Sequence, residues 1–106
     1  MVSTDSMVKV LLIRPWIHSV APLRAALQRV GFSARFTRVD IEPALHAAVE
    51  RGGFDVVIVD PATPGLSRST VEACLRDHRL WLPVVELDGV SDLGEQVKHA
   101  LEARLS

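Results

Sequence analysis

Three places in the chain put a charged side chain at the end of an apolar run, and these are the positions where chemistry is expected. Asp60 follows the run FDVVIV, Arg14 and Pro15 follow KVLLI, and Asp88 follows LPVVEL. Such runs are typical of strands that are covered on both faces. A guanidinium beside two carboxylates offers paired, charge-assisted hydrogen bonds. We therefore expect Arg14 to reach Asp60, Asp88 or both; the alternative is that each charge faces solvent.

The histidines and the single cysteine do not form a recognisable ligand pattern. His18, His46, His78 and His99 fall on four different predicted elements. None has a second histidine four residues away, the spacing that places two ligands on one helix face. We predict surface histidines and no metal site, and we interpret Cys74 as a small core residue rather than a nucleophile. Neither GxGxxG nor GxxxxGK occurs, so no cofactor is expected.

Apolar runs alternate along the chain with amphipathic segments. The predicted strands cover residues 9–13, 32–39, 54–59 and 82–87. The predicted helices begin near Ser19, Asp40, Ser67, and Ser91 or Asp92, with Asp40 as the cap of the second helix. Strands that are joined by helices of this length must be parallel, with right-handed crossovers. The pattern predicts an α/β fold with an open parallel sheet and helices on both faces, and the charged positions above lie at the carboxyl ends of its strands, where functional groups collect.

The composition indicates one globular domain and excludes several classes of function. The chain has 106 residues, 48% of them hydrophobic, and a formal net charge of −1. We expect a disordered tail over residues 1–6 and a single domain over residues 7–106. A near-zero charge argues against binding to nucleic acid or to an anionic membrane. No run approaches the roughly 20 apolar residues of a membrane span and no signal core is present, so a cytoplasmic location is expected.

The segment 54–65, FDVVIVDPATPG, resembles the receiver domain of response regulators. Receivers place their phospho-accepting aspartate at the end of this central strand, with a proline four residues later, and here those positions are Asp60 and Pro64. The order of the elements over residues 7–89 and the last helix also fit. The resemblance implies a flavodoxin-like sheet of order 2-1-3-4-5 and a Mg²⁺-dependent phosphorylation of Asp60.

The residues that would support this chemistry depart from the family pattern. Receivers hold Mg²⁺ with an acidic pair directly after the first strand, where this chain has Arg14 and Pro15. Arginine brings a permanent positive charge, proline offers no ligand atom, and Mg²⁺ requires hard oxygen ligands. Asp88 replaces the Ser or Thr that senses the phosphoryl group. The helix, the fifth strand and the lysine that should precede the last helix are missing, so the sequence resembles a degenerate pseudo-receiver with strand order 2-1-3-4.

We therefore expect a phosphorylation-independent protein-interaction module in signal transduction, and not an enzyme. One alternative is an unusual receiver that is still phosphorylated on Asp60; another is a small flavodoxin-like ligand-binding or enzymatic domain. The expected partners are a histidine kinase or another signalling protein, and a second copy of the chain. Loss of the fifth strand leaves the fourth as an edge, which a guarding Glu86, the last helix or a homodimer would protect. The candidate interface residues are Trp16, Trp81, Val85, Leu93 and Val97.

Overall fold

Four strands alternate with four helices in the computed structural model, which describes residues 6–105, with side chains for residues 7–103. The strands are β1 (Ser6–Ile13), β2 (Phe32–Val39), β3 (Val56–Val59) and β4 (Val84–Glu86). The helices are α1 (Ala21–Gln28), α2 (Glu42–Arg51), α3 (Arg68–Asp77) and α4 (Leu93–Leu105). Residues 1–5 of the predicted disordered tail lie outside the described residues, and Ser6 is already the first residue of β1.

The strands form one parallel sheet of order β2-β1-β3-β4. This confirms the predicted α/β fold, and its arrangement is flavodoxin-like. The chain moves from β1 outward to β2, then crosses back to β3, so the strand order reverses between β1 and β3. In open α/β sheets the crevice at the carboxyl ends of two such strands is the usual position of a functional site. Within residues 6–105 the sheet has no fifth strand, which leaves β4 as an edge.

Helices cover both faces of the sheet, which explains why the central strands read as unbroken apolar runs. On one face, Val10 of β1 and Ile58 of β3 are buried beneath α1 and α4. On the other face, Leu11 and Val57 are buried beneath α2 and α3. Successive side chains of a strand point to opposite faces, so β1 and β3 supply alternate residues to two separate cores. The resulting rigid centre fixes the loops that follow β1 and β3.

Gly94 allows α1 and α4 to pack closely on the first face. A Cβ at this position would lie 2.6 Å from the carbonyl oxygen of Ala26 and 3.1 Å from both γ-carbons of Val30. Any side chain here would therefore force the two helices apart.

The element boundaries follow local chemistry, and several ends differ from the sequence prediction. The strand β1 begins three residues earlier than predicted, at Ser6, and β3 begins two residues later, at Val56. The helix α3 begins beside Ser67 as predicted, and the Ser67 hydroxyl caps it by accepting a hydrogen bond from the backbone N–H of Thr70. Asp40 does not cap α2: the extended residue before that helix is Ile41, and it makes no side-chain cap. The strand β4 begins two residues later than predicted. Pro83 has no N–H to donate, although its carbonyl accepts from Val57 at 2.9 Å.

No helix in the described part of the chain combines the length and the apolar character that a membrane span requires.

Candidate functional site

Arg14 and Asp60 are the first residues beyond β1 and β3, at the point where the strand order reverses. The backbone ladder continues through both positions. The Arg14 N–H donates to the carbonyl of Val39 at 3.2 Å, and the Asp60 N–H donates to the carbonyl of Ile13 at 2.8 Å. These bonds fix both Cα atoms relative to the central strands, so the two side chains start from rigid positions.

The two side chains form a largely buried ion pair. The Nη1 of Arg14 lies 2.8 Å from the Oδ2 of Asp60, and the side chains are only 12% and 9% exposed. The other carboxylate oxygen, Oδ1, accepts a hydrogen bond from the backbone N–H of Ala62 at 2.9 Å. Both oxygens of Asp60 are therefore occupied by donors from this chain. A charge-assisted bond with little exposure to water is stronger than a surface ion pair.

Thr63 supports the Asp60 loop, and sequence reasoning did not identify it. Its N–H donates to the carbonyl of Asp60 at 3.0 Å, and its buried hydroxyl donates to the carbonyl of Ile13 at 3.4 Å. The first bond closes a turn over residues 60–63, with Asp at the first position and Pro61 at the second. That order is a common turn signature, and it is the signal that would have indicated a structural role for Thr63.

Asp88 does not join the ion pair. It is exposed, and the ion pair of Arg14 involves Asp60 alone among the described residues. The reason is the strand order: β1 and β4 are separated by β3, hence by two strand spacings, or about 10 Å. Pro15 is partly buried in the loop after β1, and its carbonyl accepts from the His18 N–H at 3.1 Å. Of the two carboxylates that Arg14 was predicted to reach, its guanidinium contacts Asp60 and not Asp88.

Arg38, which sequence reasoning also missed, holds the loop after β1 in place. Its guanidinium lies over the ring of Trp16, 5.0 Å from the ring centroid. It also donates to the carbonyl oxygens of His18 and Trp16. Trp16 nevertheless remains 63% exposed and its neighbour Ile17 89% exposed. Trp16 and Ile17 therefore form an exposed apolar surface that follows Arg14 closely in the chain.

The candidate interface residues near β4 divide into buried and exposed sets. Val85 of β4 and Leu93 and Val97 of α4 are buried in the core between the sheet and the helices α1 and α4. Of these three, Val85 also lines a cleft beside β4. Their burial follows from α4, which packs its apolar stripe against the sheet. Trp81 is 66% exposed.

Two adjoining clefts open along the edge strand β4. One, of about 770 Å³, lies between β4 and α4 and carries both acidic residues such as Glu95 and basic residues such as Lys98. The other, of about 510 Å³, includes the apolar side chains of Trp81 and Leu80. Arg68, Val84 and Ala100 line both clefts. The open side of the sheet is thus a continuous surface with apolar and charged parts.

Three residues that the sequence separates converge between α2 and α3. The Nδ1 of His46 lies 3.3 Å from the Sγ of Cys74 and 3.2 Å from the Nε2 of His78. The sequence signal is the spacing of four between Cys74 on α3 and His78 directly after it, which a pattern of paired histidines does not include. His18 and His99 are exposed elsewhere. Burial raises the pKa of the Cys74 thiol, and the carboxylates of Asp77 and Glu42 raise this pKa further.

Comparisons with known proteins do not assign this chain to a family. A scan against models of protein families gives no match. A search of curated proteins gives no match either. The flavodoxin-like order of the sheet is the likeness that the structure itself establishes.

Proposed function

We propose that the protein is a phosphorylation-independent interaction module for signal transduction, a pseudo-receiver that is held in one conformation. The observation that carries this proposal is the buried ion pair between Arg14 and Asp60. It lies where the receiver resemblance would place the phosphorylation site and its metal.

The ion pair argues against a Mg²⁺-dependent phosphoryl transfer to Asp60. Mg²⁺ needs several oxygen ligands in near-octahedral geometry and is usually held by one or two carboxylates. Here one oxygen of Asp60 is bound by Arg14 and the other by the Ala62 N–H. A Mg²⁺ ion would have to displace a cation that is covalently part of the chain, and Pro15 offers no replacement ligand. The guanidinium thus takes the electrostatic role of the metal permanently.

A permanent cation also removes the basis of a switch. Phosphorylation can shift a conformational equilibrium only if the two states interact differently with the added group. In this chain the carboxylate that would be modified is already paired and its loop is closed by Thr63. The surface around the site is accordingly expected to have the same shape at all times, which suits a constitutive docking role.

The surface along β4 is the best candidate for an interface, and we assign it to a second copy of this chain. Edge strands expose unpaired backbone groups that pair readily with another strand. The surface combines apolar side chains such as Trp81 and Val84 with a charged rim, the arrangement found in protein interfaces. The rim contains both signs, for example Arg68 and Glu95. It can therefore complement itself across a two-fold axis, where the same patch meets its own copy.

Multi-angle light scattering at several protein concentrations tests this proposal. We expect a concentration-dependent shift from monomer to dimer that is unchanged by Mg²⁺ and acetyl phosphate. A monomer at all concentrations would rule out the second copy as the occupant and leave a histidine kinase or another signalling protein as the candidate. A dimer fraction that changes with acetyl phosphate would contradict phosphorylation independence.

A further inference from the structure

The His46, Cys74 and His78 cluster lies between two helices that pack on the same face of the sheet. His46 is in the middle of α2, Cys74 is on the inner side of α3, and His78 is the residue directly after α3. Cys74 is buried, His46 is partly buried and His78 is exposed. One donor atom from each residue falls within a group whose members all lie within 4.8 Å of one another. The nitrogen and sulfur donors thus come from two segments of the chain, since His46 is 28 residues from Cys74 and 32 residues from His78.

We propose that His46, Cys74 and His78 bind a zinc ion that joins α2 to α3.

The spacing of the donor atoms fits a tetrahedral zinc ion. Zn–N and Zn–S bonds of about 2.1 and 2.3 Å at a tetrahedral angle place neighbouring donors about 3.4–3.6 Å apart. The two measured separations from the Nδ1 of His46 are 3.2 Å to His78 and 3.3 Å to Cys74. The third separation, between Cys74 and His78, is at most 4.8 Å. The exposed ring of His78 can close this last gap by a small rotation, because no core packing holds it.

Glu42 completes an arrangement that is typical of metal-bound histidines. Its Oε2 lies 3.5 Å from the Nε2 of His46, one helical turn away on α2. A histidine that ligates through one nitrogen usually donates the proton of the other to a carboxylate, which fixes the tautomer and the ring orientation. With Nε2 facing this carboxylate, Nδ1 is the ring nitrogen of His46 that faces Cys74 and His78.

Without an ion, the same contacts are poorly satisfied. In the tautomer that carries its proton on Nε2, the Nδ1 of His46 has one lone pair and accepts one hydrogen bond. Two possible donors, the Cys74 thiol and the Nε2–H of His78, nevertheless lie at contact distance from it. A cation removes this competition, because all three atoms then present lone pairs to one centre.

The donor set selects the type of metal. Two imidazoles and one thiolate suit zinc, whereas Mg²⁺ and Ca²⁺ prefer oxygen ligands. On binding, the Cys74 thiol releases its proton to solvent and the sulfur becomes the thiolate ligand. Three protein ligands leave a fourth tetrahedral position, and on the side of the exposed His78 this position is open to water. The ion is expected to tie α2 to α3 and to stabilise the folded chain by mass action.

Titration of the chelator-treated full chain with Zn²⁺ by calorimetry, and with Co²⁺ by absorbance, tests the proposal. We expect one equivalent of Zn²⁺, a rise in the melting temperature, and a thiolate-to-cobalt charge-transfer band with the intense visible bands of tetrahedral Co²⁺. His78→Ala changes an exposed residue and should weaken binding by well over tenfold. Cys74→Ser should abolish the charge-transfer band. Glu42→Gln should weaken binding by about tenfold, as other losses of a carboxylate partner to a histidine ligand do.

The matched control is His99→Ala, which removes an exposed histidine from α4 and should leave binding unchanged. The proposal is overturned if the wild-type chain gives no charge-transfer band or no stoichiometric Zn²⁺ binding. It is also overturned if folded His78→Ala binds Zn²⁺ as tightly as His99→Ala does. Circular dichroism of each variant shows which chains are folded, and His78→Ala alone decides the question if Cys74→Ser is not.

Discussion

Removing one partner of a buried ion pair changes the stability of a protein differently from removing both partners. Removing one partner leaves the other charge with little access to water, and that unpaired charge is costly. The Arg14–Asp60 pair is in this position, because its side chains are 12% and 9% exposed. The exposed pair of Arg68 and Glu72, at 48% and 42%, provides the contrast within the same chain.

Arg14→Ala is expected to lower the free energy of unfolding by about 1–3 kcal/mol, since it leaves the Asp60 carboxylate buried without its cation. The double variant with Arg14→Ala and Asp60→Ala should lose less stability than the sum of the two single losses, with a coupling energy of about 1 kcal/mol or more. Urea denaturation of the four chains measures this cycle. As the control, Arg68→Ala should change stability by about 0.5 kcal/mol or less. Additive losses at positions 14 and 60 would show that the pair contributes nothing specific.

The Arg14–Asp60 ion pair and the cluster of His46, Cys74 and His78 differ in how far the sequence could predict them. Arg14 and Asp60 each end an apolar run, so the parallel topology alone brings them to one edge of the sheet. The contact of His46 with Cys74 depends instead on how two helices rotate and pack, which the periodicity of either helix leaves open. The spacing of Cys74 and His78 was visible in the sequence, but its partner on α2 was not.

At Gly94, where α4 packs closely on α1, helix propensity and steric contact have opposite effects on a substitution by alanine. Alanine is normally favoured over glycine inside a helix by about 1 kcal/mol. Here the added methyl group would meet the backbone oxygen of Ala26 at 2.6 Å, and backbone atoms yield less easily than a flexible side chain.

Gly94→Ala is therefore expected to destabilise the fold by about 1–3 kcal/mol, because overpacking outweighs the gain in helix propensity. Thermal or urea unfolding measures the change. Gln96→Ala alters an exposed residue of the same helix and should stay within about 0.5 kcal/mol of the wild type. A Gly94→Ala chain that is more stable than the wild type would mean that α4 does not pack on α1 as described.

The elements were predictable in kind and order, while their ends were less so. Ser67 starts α3 because a hydroxyl in an extended residue caps a helix, a purely local effect. Asp40 precedes a helix too, but Ile41 takes the extended conformation before α2 and leaves Asp40 outside. The late start of β4 reflects pairing with β3 rather than the apolar run itself, since Leu82 is buried without being part of the strand.

At the scale of the whole molecule, the sheet is asymmetric. Its β2 edge is a long strand of eight residues, and its β4 edge is a short strand of three. The two tryptophans of the chain are both exposed and lie at opposite ends of the sheet, with Trp16 after β1 and Trp81 before β4. They are almost equally exposed, so they form a natural pair of test positions.

Trp81→Ser is expected to weaken self-association by about tenfold or more, because tryptophan is enriched among the interface residues whose truncation costs about 2 kcal/mol or more. Trp16→Ser should leave self-association unchanged, since it lies at the other end of the sheet. Sedimentation equilibrium of the two variants beside the wild type gives the dissociation constants. Equal effects of both changes, or an effect of Trp16→Ser alone, would place the interface away from β4.

The most direct measurement of the central claim is the intact mass of the protein after incubation with Mg²⁺ and acetyl phosphate. A competent receiver domain treated in parallel shows that the conditions support phosphorylation. The buried pair of Arg14 and Asp60 predicts that the mass of this chain stays unchanged. A clean gain of one phosphoryl group that is lost in Asp60→Asn would contradict the account, because it would show that the guanidinium does not block the aspartate.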